Sequence, residues 1–235
     1  MAAFLVEAVG KVDLRADQKA TVDAAIADLQ KQGEAHGDAG KQLASDLADG
    51  VAAGKIDHAK TDADVKKLVA AVDATKGSVQ DDVNNLHKTL DAAQRKKVVE
   101  EMRAKGEEMQ AMHEKDGAEE GEHEGRMKML ADSLGLSPEQ TDKLKAKTKD
   151  LMKTQMAAMK TNMGVMHKHM KEIADAFESD KFDAKKVGVG THAGDMAKTM
   201  AKNRIQFVEA VLAVLTPEQR AKFAEHIRSH AEEGG

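Results

Sequence analysis

The 235 residues contain no cysteine, tryptophan or tyrosine, and only five phenylalanines and two prolines. Without thiols there is no disulfide, no thiolate nucleophile and no cysteine metal ligand, and the compartment cannot be read from redox chemistry. With aromatics at 2% of the chain, its lysines have no neighbours on which a base would stack, which argues against nucleic acid as a partner. No apolar run reaches the roughly 18 residues a membrane-spanning helix needs. The opening "MAAFLVEAVG" is too short for a signal peptide and lacks its basic n-region. No stretch alternates with period two, so no strands are predicted. G-x-S-x-G and H-E-x-x-H are missing. "GVGTHAG" at 188–194 follows no strand and lacks the Lys–Ser/Thr of a phosphate loop, so its glycines read as a break between helices. The carboxylates are scattered over polar faces. An enzyme is not expected.

What remains is a helix-forming composition of Ala, Lys, Glu, Asp, Leu and Met, with 33% of residues charged. The net charge of −5 is unevenly spread. Residues 1–105 carry 16 basic and 18 acidic side chains, 106–125 carry one and eight, and 126–230 carry 19 and 13. The acidic, glycine-containing stretch reads as a linker. The basic second half suits an acidic protein partner.

A short motif recurs on both sides of that stretch. "LTPEQR" stands at 215–220, "LSPEQ" at 136–140, "LDAAQR" at 90–95 and "LRADQ" at 14–18. Leu14 and Leu90 are 76 residues apart, and Leu136 and Leu215 are 79 apart. Between the members of each pair lies a Lys–apolar–Asp step, "KID" at 55–57 and "KFD" at 181–183. The chain therefore reads as a tandem duplication: 1–112 is the first unit, 113–125 the acidic linker and 126–235 the second unit. Each motif has a structural reading as a helix start. Thr216 is an N-cap, Pro217 sits at N1 and Gln219 at N3, the arrangement of a capping box. Ser137 with Gln140, and Asp91 with Gln94, repeat it behind Leu136 and Leu90. Arg15 breaks the pattern, so the first helix is expected to use Asp13 or Asp17 as its cap.

Between the motifs the periodicity is helical. Met152, Met156, Met159, Met163, Met166, Met170, Ile173 and Phe177 recur at intervals of four and three. Met196, Met200, Arg204, Phe207, Val211 and Val214 form the returning stripe. These place one long hairpin at 139–178 and 191–214, and a second from 16 to 88 with a kink near Gly33–Gly40.

The paired Leu–Thr–x–x–Gln motifs, at this spacing and with the apolar–Asp step between them, resemble those of the Spy/CpxP family of periplasmic LTxxQ-motif proteins. That family also holds zinc-resistance-associated proteins. The resemblance implies an all-α fold: here, two tandem LTxxQ-type long helical hairpins forming a pseudo-dimeric curved cradle. It implies an ATP-independent holdase or refolding chaperone for partly unfolded proteins, periplasmic, with the signal peptide absent from this sequence. With both copies in one chain, a monomer is expected, its internal pseudo-dimer replacing the family's pair of chains.

Against that background the methionine stripe has three readings. It is a core stripe, a client-contacting surface of soft and adaptable side chains, or a thioether site for cuprous ion. The client-binding candidates are Met156, Met159, Met163, Met166, Met170, Met196 and Met200. No cofactor is expected on the chaperone reading. The alternative function is binding or sensing of zinc or copper. His226 and His230, four apart on one helix face, are its candidate ligands, whereas His167 and His169 point away from each other.

Overall fold

Helices dominate because nearly every segment between the caps carries strong helix formers in a 3.6-residue apolar pattern. The computed structural model describes residues 2–115 and 119–233, and the side chains of 4–34, 36–108, 125, 127–158 and 164–232. Its helices are α1 (Ala2–Gly10), α2 (Ala16–Ala53), α3 (His58–Thr89), α4 (Ala92–Lys115), α5 (Glu119–Leu134), α6 (Pro138–Glu178), α7 (Ala193–Leu212) and α8 (Pro217–Glu233). No strand occurs among the described residues. The bounds of α6 and α7 fall within two residues of those the periodicity predicts. Helices α4 and α5 extend into the stretch read as an acidic linker, of which 116–118 lie outside the described residues.

Helix α2 continues through Gly33, Gly37 and Gly40, where the sequence suggested a kink. A Cβ added at any of the three would meet nothing within 4 Å. Replacing all three by alanine should therefore stabilise the protein by about 2 kcal/mol, since each glycine in a helix interior costs roughly 0.5–1 kcal/mol. The urea midpoint checks this.

Two helices end on glycines that the backbone requires. At the end of α2, Gly54 adopts φ 79°; its N–H donates to Val51 O at 3.0 Å, and Lys55 N–H donates to Gly50 O at 2.9 Å. After α5, Gly135 adopts φ 65°, and Leu136 N–H reaches back to Ala131 O at 2.9 Å. Both are Schellman closures, which need a left-handed residue.

The chain forms two compact units that cut across the two sequence copies. Unit 1 comprises Met1–Glu34, Asp73–Lys115 and Thr161–Ala193; unit 2 comprises Ala35–Val72, Asp116–Lys160 and Gly194–Gly235. In unit 1, α2 and α3 run antiparallel, with Gln18 bonded to Thr89 O and Gln32 to Asp82. Its core is built from Val9, Val22, Leu86, Leu90, Val98 and Phe177, all buried. In unit 2, Gln155 meets Gln206 across antiparallel α6 and α7. Leu47, Val51, Leu144, Val211, Leu215 and Phe223 make that core. Full burial of each such side chain contributes about 1.5–3 kcal/mol, which is what holds long, highly charged helices together.

Unit 2 also buries two carboxyls side by side where α2 meets α3. Asp46 takes Lys60 Nζ at 2.7 Å, and Asp64 takes Lys67 Nζ at 3.2 Å. Burial, and then the hydrogen bond with Asp46, push Asp64 above the usual carboxylate range. Burial alone would raise Asp46 too, but hydrogen bonds with Lys60, Asp64 and Gln42 together hold it below that range. Of the two, Asp64 is therefore the one that takes up a proton more readily.

Candidate functional site

The four motifs meet in pairs, one pair in each unit, and their glutamines bond to each other. In unit 1, Asp91 N–H donates to Gln94 Oε1 at 2.9 Å, and Gln94 N–H donates to Asp91 Oδ1 at 3.0 Å. This closes the capping box predicted for the start of α4. At the start of α2, Arg15 N–H donates to Gln18 Oε1 at 2.9 Å. Arg15 therefore occupies the cap position itself, and neither Asp13 nor Asp17 serves there. Its guanidinium reaches Asp91 Oδ2 at 2.9 Å instead.

The two glutamine amides then form a cyclic dimer. Gln18 Nε2 donates to Gln94 Oε1 at 2.7 Å, and Gln94 Nε2 donates to Gln18 Oε1 at 2.9 Å. Each second N–H goes to the backbone beside the other motif, Gln18 to Thr89 O and Gln94 to Asp13 O. Every donor and acceptor of both amides is used. This matters because Gln18 is only 2% exposed.

Unit 2 repeats the arrangement, and there both motifs close a full capping box. Ser137 N–H and Thr216 N–H donate to Gln140 Oε1 and Gln219 Oε1 at 2.9 and 3.0 Å. The return bonds to Ser137 Oγ and Thr216 Oγ1 measure 3.2 and 3.4 Å. Gln140 and Gln219 exchange amide bonds of 2.7 and 3.1 Å, and their remaining protons go to Val214 O and Gly135 O. The leucines before the caps, Leu90, Leu136 and Leu215, pack into or against the two cores. The motif is thus a clasp that fastens two helix starts to each other.

The arginine following the glutamine in "LDAAQR" and "LTPEQR" extends the clasp. In unit 1, Arg95 is 8% exposed, donates to Leu90 O, and bonds Asp180 in the turn after α6. In unit 2, the Arg220 guanidinium occupies the space that a Cβ on Gly54 would need, at the turn after α2. Each motif arginine thus reaches a hairpin turn distant in sequence, Arg95 by a bond to Asp180 and Arg220 by lying against Gly54. His58 and Glu209 (2.9 Å) and Arg228 and Asp49 (2.7 Å) add surface ion pairs in unit 2, each worth at most about 1 kcal/mol.

The methionine stripe divides at Ile173. Ile173 and Phe177 are buried in the unit 1 core, as the periodicity predicts. The methionines before them are not packed in the same way. In unit 1, Met166 is 41% exposed beside Val165 at 57%, with Met170 half-buried. In unit 2, Met156, Met196 and Met200 are 43%, 45% and 67% exposed. Met129 on α5, absent from the candidates, is 73% exposed. The side chains of Met159 and Met163 lie outside the described residues. Exposed lysines flank these positions: Lys168 and Lys171 in unit 1, and Lys153, Lys198 and Lys202 in unit 2.

The histidines do not converge on a metal-like geometry. His226 and His230 lie close, with ring centroids 4.2 Å apart and planes tilted by 44°, but among the described residues no group of three or more His, Asp or Glu is arranged to hold an ion. His169 Nε2 bonds Gly188 O at 3.0 Å, and His167 is exposed. A different histidine, unremarked in the sequence, is the buried one: His87, 5% exposed, on α3.

Three features were thus missed in the sequence: the glutamine pairing, the two motif arginines and His87. The arginines left a signal, because two of the four motifs continue Gln–Arg. His87 left none, since a single histidine in a polar helix is ordinary. No curated protein and no solved structure matches the chain. Residues 122–227 match a family described as LTXXQ motif family protein. That stretch contains the capping boxes of α6 and α8 and the Gln140–Gln219 pair, and over it the chain is similar to the LTXXQ motif family.

Proposed function

We propose that the protein is a periplasmic, ATP-independent chaperone that holds partly unfolded proteins on exposed methionine-rich surfaces. The observation that carries this reading is the exposure of Met156, Met166, Met196 and Met200 on helices that also bury Leu144, Ile173, Phe177, Ile205, Val208 and Val211. Methionine is normally a core filler. Exposed and repeated, it offers a polarisable and conformationally adaptable surface that suits many sequences rather than one. The flanking lysines steer acidic clients, and apolar contact retains them. The similarity of residues 122–227 to the LTXXQ motif family supports the compartment and the class. On this reading the chain works as a single molecule, its two copies meeting at Arg95 and Arg220, and it needs no cofactor and performs no catalysis.

The test is aggregation of a chemically denatured client on dilution, without nucleotide. Replacing Met156, Met166, Met196 and Met200 together by serine should weaken protection about tenfold, equivalent to roughly 1.4 kcal/mol of lost contact. Thermal unfolding should stay nearly unchanged, because the four side chains contribute little to either core. Full protection by the quadruple variant, or none by the parent protein at several-fold excess over several clients, would overturn the proposal. Metal binding through His226 and His230 is the second reading. It has one chelating pair on its side, and calorimetry with zinc and with cuprous ion separates it from the first.

A further inference from the structure

The geometry points to a pH-operated latch in unit 1: protonation of His87 releases the turn that follows α6 from α3.

The His87 ring lies between two phenylalanines of that region. Its centroid is 5.3 Å from Phe177, edge-on, and 5.1 Å from Phe182, stacked. Its Nε2 lies 2.8 Å from Ser179 O. A carbonyl only accepts, so Nε2 carries the hydrogen, and Nδ1 is the nitrogen that gains a proton when the ring becomes charged. The rest of the turn is seated on the same helix. Gln80 Nε2 donates to Val189 O at 2.9 Å, and Ala184 N–H donates to Asn84 Oδ1 at 2.9 Å. Ala184 and Val189 are buried.

The charged groups facing the ring come from each neighbouring element. Helix α4 presents Arg95, the turn presents Asp180, and α3 itself presents Lys88. The α6 carboxylates Asp175 and Glu178 are engaged by Arg103. Asp180 is paired with Arg95 and is 90% exposed, which leaves it little power to neutralise a second cation. An imidazolium at this position would be buried between two rings, beside a guanidinium and without a carboxylate of its own. Burial, first, and the two cations, Arg95 and Lys88, hold the ring's pKa below its ordinary 6.5, against the opposing pull of the Ser179 carbonyl and Asp180. The sign follows from that direction. Stability supplied by the neutral ring is complete above the ordinary value, and is lost as pH falls through it towards the lowered one.

Unit 2 provides an internal control. Aligning the motifs at Leu90 and Leu215 puts Leu212 opposite His87, and aligning the "KID" and "KFD" steps puts Ile56 opposite Phe182. Leu212 and Ile56 are both buried in the unit 2 core. One of two corresponding joints therefore buries a histidine against a phenylalanine, and the other has leucine and isoleucine at those two positions. The inference stands whether or not the protein binds clients.

The experiment is amide hydrogen exchange on the full chain at about pH 7 and about pH 5, corrected for the intrinsic rate at each pH. The probes are the amides of Ala184, Val187 and Val189, which donate to Asn84 Oδ1, Asp183 O and Ala184 O. Their protection should fall about tenfold in acid. Lys55, in the corresponding unit 2 turn, should not follow. His87→Leu, chosen to match Leu212 in the unit 2 joint, should abolish the acid response. Ring NMR of the parent protein should show His87 titrating below an ordinary histidine, a readout that survives even if the leucine variant folds poorly. The latch is refuted if His87→Leu keeps the acid response, if both turns loosen together, or if the His87 ring titrates at the ordinary value.

Discussion

Replacing Gln94 by leucine should destabilise the protein by about 3 kcal/mol, far more than a half-exposed glutamine on a helix surface ordinarily costs. Four hydrogen bonds end on this amide: from Asp91 N–H and Gln18 Nε2, and to Asp13 O and Gln18 Oε1. A typical bond contributes about 1 kcal/mol net, and a buried polar group left without a partner costs about 1–3 kcal/mol. The exposed backbone groups can turn to water. Gln18, at 2% exposure, cannot, and its stranded amide sets most of the cost. It follows that Gln18→Leu and Gln94→Leu should not be additive. The double variant removes both members of the cyclic pair and strands neither, so its loss should fall below the sum by about 1–3 kcal/mol. Urea unfolding of the four-member cycle measures this. Additive losses would mean that the glutamines act only as separate caps. Gln94→Glu should fare little better than leucine, because a carboxylate accepts from Asp91 but cannot donate to Asp13 O or Gln18 Oε1.

Gly54→Ala should cost about 3 kcal/mol, and Gly135→Ala only about 1–2 kcal/mol. Both residues close a helix with positive φ, and an alanine at either bears the penalty of roughly 1–2 kcal/mol for left-handed backbone. The surroundings differ. A Cβ at Gly135 meets nothing within 4 Å, whereas at Gly54 it falls on the Arg220 guanidinium. The arginine must leave the turn or the turn must move, and in either case the joint in unit 2 loosens. The difference between the two variants therefore isolates the arginine contact. Thermal unfolding of both measures it, and equal losses would assign the whole effect to backbone strain. In the background Arg220→Ala, the extra cost of Gly54→Ala should disappear.

Much of this architecture is legible along the chain because it depends on neighbours in sequence. The caps at Asp91, Ser137 and Thr216 bond three residues ahead, and the helix pattern repeats every three or four. Local rules therefore place α4, α6 and α8 closely. They misplace the cap of α2, because the glutamine bond to Arg15 N–H does not depend on a capping side chain at that position. The acidic stretch misleads in another way. Charge density and glycine suggest a linker, yet α4 continues to Lys115 and α5 begins at Glu119, for glutamate is a good helix former even where like charges repel. The methionine stripe was legible in position but not in burial. Spacing shows that Met156 and Ile173 follow one heptad-like stripe, which drifts slowly around α6. It does not show which stretch of that stripe has another helix against it.

The sequence by itself determined the helical class, the starts of most helices and the recurrence of one motif four times, since each is set by contacts within a turn or two of helix. Only the tertiary structure decided that the motifs pair as Gln18 with Gln94 and Gln140 with Gln219, that Arg95 and Arg220 reach hairpin turns distant in sequence, and that His87 is buried against Phe177 and Phe182. These are contacts between residues about 70–170 positions apart. Their existence depends on the summed burial of two cores rather than on any local preference. A glutamine, an arginine and a histidine look like surface residues until packing removes their water.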